Sequence, residues 1–186
     1  MSDFLSSSQG SAINVDADRP SLVLRTGITL YPDHERALDT LLEQLVERCP
    51  APFALMADSS GQLISYKGER GKHDLIALAS LVAGDLAASQ EIARLTGELQ
   101  ASHLILREGP KYNSFIADAG ENLILFVQTA RETPLGWARL LIQYTGRQAV
   151  NIIKTVPAQV EEINLEINKD NLSDLIGDAL DDLWIG

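Results

Sequence analysis

Cysteine is all but missing from this chain of 186 residues: Cys49 is the only one, so no internal disulfide can form and the sequence fits a reducing compartment. Cys49 itself reads as a small apolar residue ending a helix rather than as a reactive thiol. Aromatic residues are scarce at 5 %, so a core has to come mainly from the Leu, Ile, Val and Ala that dominate a hydrophobic share of 45 %. Basic residues are also few, 15 Lys and Arg against 26 Asp and Glu, and the net charge of −11 argues against unspecific binding to nucleic acid or anionic lipid. No basic-then-apolar leader opens the sequence, and no apolar run is expected to reach the roughly 18 residues of a membrane span. The expectation is a soluble, cytoplasmic protein with no membrane insertion.

Catalytic constellations are missing too. His34, His73 and His103 are dispersed without metal-ligand spacing and read as surface or partly buried histidines. Gly68-Glu69-Arg70-Gly71-Lys72 falls short of a phosphate loop, because Tyr66 stands where the first glycine belongs and His73 where Ser or Thr belongs. No Ser-His-Asp or Cys-His grouping can be assembled. Arg70, Arg94, Arg107 and Arg131 are each arginine-finger candidates only in the sense that any exposed cation is. No catalytic residue, cofactor or metal ligand is assigned, and the chain is expected not to be an enzyme.

What is present is an ordered series of elements. Residues 1–20, rich in Ser, Asp and Asn, read as a flexible arm. Residues 21–31 are a lead-in, either a short strand or an ordered segment. Pro32 and Asp33 open a helix with Leu38, Leu41, Leu42, Leu45 and Val46 on one stripe, ended by Cys49-Pro50. Phe53–Ala57 and Leu63–Lys67 make two strands around the turn Asp58-Ser59-Ser60-Gly61. A long helix from Asp74 to about Leu95 has Leu75, Leu78, Val82 and Ile92 at helical spacing. Its small residues Ala77, Gly84 and Ala88 suit either the chain's own sheet or close approach of another helix. Three strands follow at His103–Arg107, Ser114–Asp118 and Leu123–Thr129, then a helix from about Pro134 to Ile153. The continuously apolar runs 53–57 and 123–127 should lie centrally in the sheet.

Two segments carry a family resemblance. Ala54-Leu55-Met56-Ala57-Asp58-Ser59-Ser60-Gly61-Gln62-Leu63-Ile64 resembles the first hairpin of the Roadblock dynein light-chain family, and Leu78 to Ala93 resembles its middle helix. The element order is similar as well, over about Asp33 to Ile153. The resemblance implies an α+β sandwich, helix-strand-strand-helix-strand-strand-strand-helix, around a five-stranded antiparallel sheet. The middle helix would lie on one face, and the first and last helices on the other. It further implies a homodimer through the third strand and middle helix, with Ala77, Gly84, Ala88, Leu104 and Leu106 as interface residues; an edge strand carrying Leu104 and Leu106 invites pairing. It implies a partner too, a small Ras-like GTPase that the dimer regulates without donating an arginine finger. A structural adaptor that leaves GTP turnover untouched and a small-ligand sensor are the alternatives.

The Roadblock domain is thus expected at 32–154, followed at 155–186 by an acidic tail with no family counterpart. From Pro157 onward, eight acidic residues face one base, Lys169. Leu172, Leu175, Ile176, Ala179, Leu180, Leu183 and Trp184 recur at three- and four-residue intervals, which reads as a short amphipathic helix. Its apolar positions Leu175, Ile176, Leu180, Leu183 and Trp184 are candidates for docking, either on the chain's own domain or on a partner.

Overall fold

The computed structural model describes residues 21–68, 72–98 and 104–156. The arm at 1–20, residues 69–71 of the polar loop, residues 99–103 with His103, and the tail from 157 on, where the amphipathic helix is expected, lie outside the described residues. In chain order the elements are β1 (Leu22–Val23), β2 (Thr29–Leu30), α1 (Pro32–Arg48), β3 (Phe53–Asp58), β4 (Leu63–Gly68), α2 (Lys72–Thr96), β5 (Leu104–Glu108), β6 (Tyr112–Gly120), β7 (Leu123–Ala130) and α3 (Leu135–Lys154). The main sheet has five strands in the order β4-β3-β7-β6-β5, all neighbours antiparallel. α1 and α3 cover one face and α2 the other, the α+β layering expected of the sequence.

The interior strands are the two continuously apolar ones. All six residues of β3 are buried, as are Leu123 to Val127 of β7, because both of their faces are covered by helices. On the α1/α3 side, Leu38, Leu41, Leu42 and Leu45 of α1 meet Leu141, Ile142, Ala149 and Ile152 of α3 over Ala54, Met56, Leu125 and Val127. Pro32 stands at the first turn of α1, where its missing N–H leaves no intrahelical bond unmade. At the other end the Cys49 N–H still donates to Leu45 O at 2.8 Å, and Pro50 forces the chain into extended backbone. Gly146 lets α3 lie close on the sheet: a Cβ there would stand 3.1 Å from that of Ala119. β6 and β7 are joined through Glu121 and Asn122, both at positive φ (50° and 63°), the twist a two-residue hairpin needs.

The lead-in at 21–31 is a hairpin. It turns at Gly27 (φ 88°), and its Leu24 and Leu30 are buried in the same core as α1. Three other expectations are corrected. His34 is buried outright rather than at the surface or partly buried, and its Nε2 is 2.9 Å from Thr155 O. A carbonyl only accepts, so Nε2 carries the proton, and the contact ties the start of α1 to the end of α3. Ile92 does not pack with Leu75 and Val82; it is exposed on the opposite side of α2. Residues 74–96 are, by length and composition alone, long and apolar enough for a membrane span, contrary to the expectation that no run is. One side of this helix nevertheless grips the sheet: Leu75, Ala79, Val82, Ala83 and Leu86 pack on Phe53, Leu55, Ile116, Ile124 and Phe126.

Candidate interaction surface

α2 is apolar on both sides, and among the described residues only one side has a partner. Opposite the sheet-packing row, Ala77, Leu81, Gly84, Ala88, Ile92 and Leu95 follow one another at spacings of four, three, four, four and three. This is a straight seam of about 27 Å at 1.5 Å per residue. All six are exposed, Leu81 by 70 %, Ile92 by 63 % and Leu95 by 71 %. Side chains this large and apolar are rarely left in water in a row unless another surface covers them. Gly84 sits at the middle of the seam, and a Cβ placed there meets nothing within 4 Å. The small residues therefore do not serve the packing of α2 on its own sheet, which settles one alternative left by the sequence.

The seam runs beside the open edge of the sheet. β5 pairs only with β6, so its outer backbone groups have no strand partner among the described residues. The guanidinium of Arg107 on β5 forks onto the Asp85 carboxylate of α2 at 2.7 and 2.5 Å, and Gln90 Nε2 donates to Asp118 Oδ2 of β6 at 2.7 Å. These bonds hold the helix over the β5 side of the sheet. Leu104 and Leu106, grouped by the sequence with Ala77, Gly84 and Ala88, are not on that side. Leu104 packs into the α1/α3 core, and Leu106, two residues on, shares its face and is 38 % exposed. The β5 residues that share the α2 layer are Ile105, which packs against its core, and Arg107. Sequence reasoning missed Ile105 and singled out Arg107 only as an arginine-finger candidate, although the period of two along β5 distinguishes both from Leu104 and Leu106 once the inner face is known.

Of the candidate arginines, Arg107 is held by Asp85 and Arg94 by Glu91 at 2.6 Å, while Arg131 is exposed just after β7. The Arg94 bond holds the Glu91 carboxyl below its ordinary value and lifts the Arg94 guanidinium above its own. Arg70 and the tail residues Leu175, Ile176, Leu180, Leu183 and Trp184 lie outside the described residues. Among the described residues no group of three or more His, Cys, Asp and Glu is placed to hold a metal ion.

Cys49 is fully buried at the end of α1, and burial pushes its thiol from 9.0 up to about 11. Two units leave roughly a hundredfold less thiolate near neutrality. Alkylation of the native protein by iodoacetamide at pH 8 should therefore run at least about 100-fold slower than that of a cysteine peptide. Comparable rates would show that the thiol is accessible and ionised.

The corner where the β3–β4 and β6–β7 turns meet the β1–β2 hairpin is organised by one buried side chain. Asp58 Oδ1 accepts from Ser60 N (3.0 Å), Ser60 Oγ (2.6 Å) and Gln62 N (2.8 Å), and Oδ2 accepts from Thr26 Oγ1 (3.1 Å). Ser59 N donates to Asn122 O at 2.8 Å, and Arg25 N to Gln62 Oε1 at 3.2 Å. Gly61, at φ 81°, lies under α2 so closely that a Cβ would come within 2.7 Å of Ser80 Cα. The turn thus fixes α2 and the hairpin relative to the sheet.

A Roadblock/LC7 domain from Streptomyces avermitilis has this arrangement, with a TM-score of 0.58 over 63 % of this chain and 98 % of its own, at 19 % identity. The chain has the Roadblock fold. Two further solved structures share more of the sequence. Myxococcus xanthus MglB is 29 % identical, with a TM-score of 0.59 over 64 % of this chain and 96 % of that one. An MglB solved with a tetrameric arrangement is 28 % identical, with a TM-score of 0.60 over 73 % and 97 %. No family model and no curated protein matches the chain. The exposed seam of α2 and the open β5 edge therefore belong to a chain of Roadblock fold that is 28–29 % identical to the MglB structures.

Proposed function

We propose that this Roadblock domain is a dimeric, non-catalytic regulator of a small Ras-like GTPase, acting in the cytoplasm. The observation that carries the reading is the α2 seam, six exposed apolar or small residues beside a strand edge that is unpaired among the described residues. Two copies related by a two-fold axis would cover each other's seam and join their β5 edges, a self-complementary contact of the usual kind for homodimers. The MglB structures add support: they are the similar chains with the higher identity, and one of them is solved in a tetrameric arrangement. The GTPase as partner comes from the family resemblance, and with it a role in which the GTPase keeps its own catalytic groups. Arg94 and Arg107, each engaged by a carboxylate of the same chain, fit that role better than a finger reaching into another protein.

The test is a titration of the purified protein against Ras-like GTPases from the same genome, loaded with GDP or with a non-hydrolysable GTP analogue, together with single-turnover hydrolysis. We expect binding that prefers one nucleotide state and a change in hydrolysis or nucleotide release, while the Roadblock protein alone binds no GTP. Saturable micromolar GTP binding by the protein alone would overturn the regulator reading. Tight GTPase binding with unchanged turnover and release would favour the adaptor.

A further inference from the structure

The three helices differ in charge. α1 carries five acidic residues (Asp33, Glu35, Asp39, Glu43, Glu47) against Arg36 and Arg48. α2 mixes both signs, with Asp74, Asp85 and Glu91 beside Lys72 and Arg94. α3 has no acidic residue at all, and its three bases, Arg139, Arg147 and Lys154, are all exposed. They stand eight and seven residues apart, two turns each, and so share one side of the helix over about 22 Å. Between them lie Leu140 and Gln143, both half-buried, and Asn151. Lys154 bridges Glu121 at 2.8 Å, a pair exposed on both sides and weak for that reason. This is a positive ridge, with the half-buried Leu140 beside its first base, on a protein of net charge −11.

From the end of the same helix the chain continues into its most acidic stretch. Asp170, Asp174, Asp178 and Asp182 recur every four residues, joined by Asp181, and the apolar positions Leu172, Leu175, Ile176, Ala179, Leu180, Leu183 and Trp184 lie between them. In helical form the four-residue repeat would align its carboxylates over about 18 Å, close to the span of the α3 bases. The thirteen residues 157–169 give ample chain to reverse direction. We infer that residues 170–186 dock antiparallel along the outer side of α3 of the same chain. The carboxylates would run along Arg139, Arg147 and Lys154, with Leu180, Leu183 and Trp184 beside Leu140. The other two helices are poorer hosts, since α1 would repel the segment and the α2 seam offers it no positive row. A tether this short holds the segment at millimolar effective concentration, which favours its own α3 over that of another copy. The contact does not depend on the reading of the seam as a dimer interface.

The reporter is Trp184 in the full-length protein, with the Trp184→Phe variant subtracting the emission of Trp137. Against a free peptide of residues 157–186, acrylamide quenching of Trp184 should be roughly threefold weaker and its emission blue-shifted, as for a buried indole. Both properties should be the same from low to high micromolar protein. Charge reversal (Arg139→Glu, Arg147→Glu, Lys154→Glu) should return both to the peptide values, and so should about 0.5 M salt in part, because the rim charges are screened. Should the triple variant lose its far-UV CD, Arg139→Glu alone and the salt series decide. Leu180→Ser with Leu183→Ser should free Trp184 without touching the core. Peptide-like quenching in the native protein overturns the inference. So does protection that grows with protein concentration, which assigns the segment to a second copy, or protection that appears only on adding a Ras-like GTPase. Protection lost in the Leu180/Leu183 variant but kept after charge reversal also overturns it, by placing the segment elsewhere.

Discussion

If the α2 seam is the proposed dimer contact, Leu81→Glu should keep the protein monomeric at concentrations where the native chain pairs. Leu81 is 70 % exposed and lies on the α2 seam next to Gly84, so in the folded monomer its replacement removes little packing. In the dimer a two-fold axis brings both new carboxylates into an apolar, desolvated contact, where each lacks a counter-charge and meets its like. Loss of about 3 kcal/mol or more is the expected scale, a hundredfold or greater rise in the dimer dissociation constant. Gly84→Leu is the companion variant. Its Cβ stands in open space, and leucine is the better helix former by roughly 0.5–1 kcal/mol, so the monomer should gain stability while close helix approach is blocked. Light scattering across a dilution series, with thermal melts for both variants, makes the comparison. Native-like mass for both at low micromolar concentration would show that the copies associate elsewhere or not at all.

Asp58→Ala should be the most damaging substitution of a polar residue. The side chain is fully buried and accepts four hydrogen bonds, from Ser60 N, Ser60 Oγ, Gln62 N and Thr26 Oγ1. Removing it strands four donors at once, those of Thr26 and Gln62 on half-buried residues that water reaches only in part, those of Ser60 on an exposed one. Hydrogen bonds to a charged acceptor are worth more than neutral ones, and the expected loss is about 3 kcal/mol, a fall in Tm of about 10 °C for a domain of this size. Asp58→Asn keeps an oxygen at the Oδ1 position, where three of the four bonds converge, and should lose about half as much. If both variants melt within a degree or two of the native protein, the corner is held by its backbone bonds and not by this carboxylate.

The layers of the sandwich were legible because their signals are local. α1 and α3 each show an apolar stripe against polar residues, and β3 and β7 are apolar without alternation, which marks strands covered on both faces. The two faces of α2 could not be told apart in this way. Leu75, Leu81, Val82, Ile92 and Leu95 differ little in hydropathy, and the small residues fall on both sides, Ala79 and Ala83 against the sheet, Ala77, Gly84 and Ala88 away from it. Helical spacing alone therefore groups Ile92 with Leu75 and Val82, a row that it does not share. Leu104 and Leu106 were correctly placed on an edge strand. Their face depends on the register with β6, where Leu106 stands opposite Phe115 of the α1/α3 core, and that pairing is long-range. The turn at Asp58 could be read from its four residues. Its bond to Thr26, 32 positions earlier, could not, nor could the 121-residue reach from His34 to Thr155.

That last contact has a topological consequence. Leu22 pairs with Leu30 immediately before α1, and His34 at the start of α1 touches Thr155 at the end of α3, so residues 22 and 156 leave the sandwich on the same side. Ends on one side make the domain suited to circular permutation, since a linker can join them and new termini can be opened in a surface turn such as 121–122. They also make it a self-contained cassette. Inserted in a loop of another protein, or strung in tandem, it would enter and exit its host on the same side. The α2 seam and the β5 edge would then be presented intact, whatever the chain is attached to.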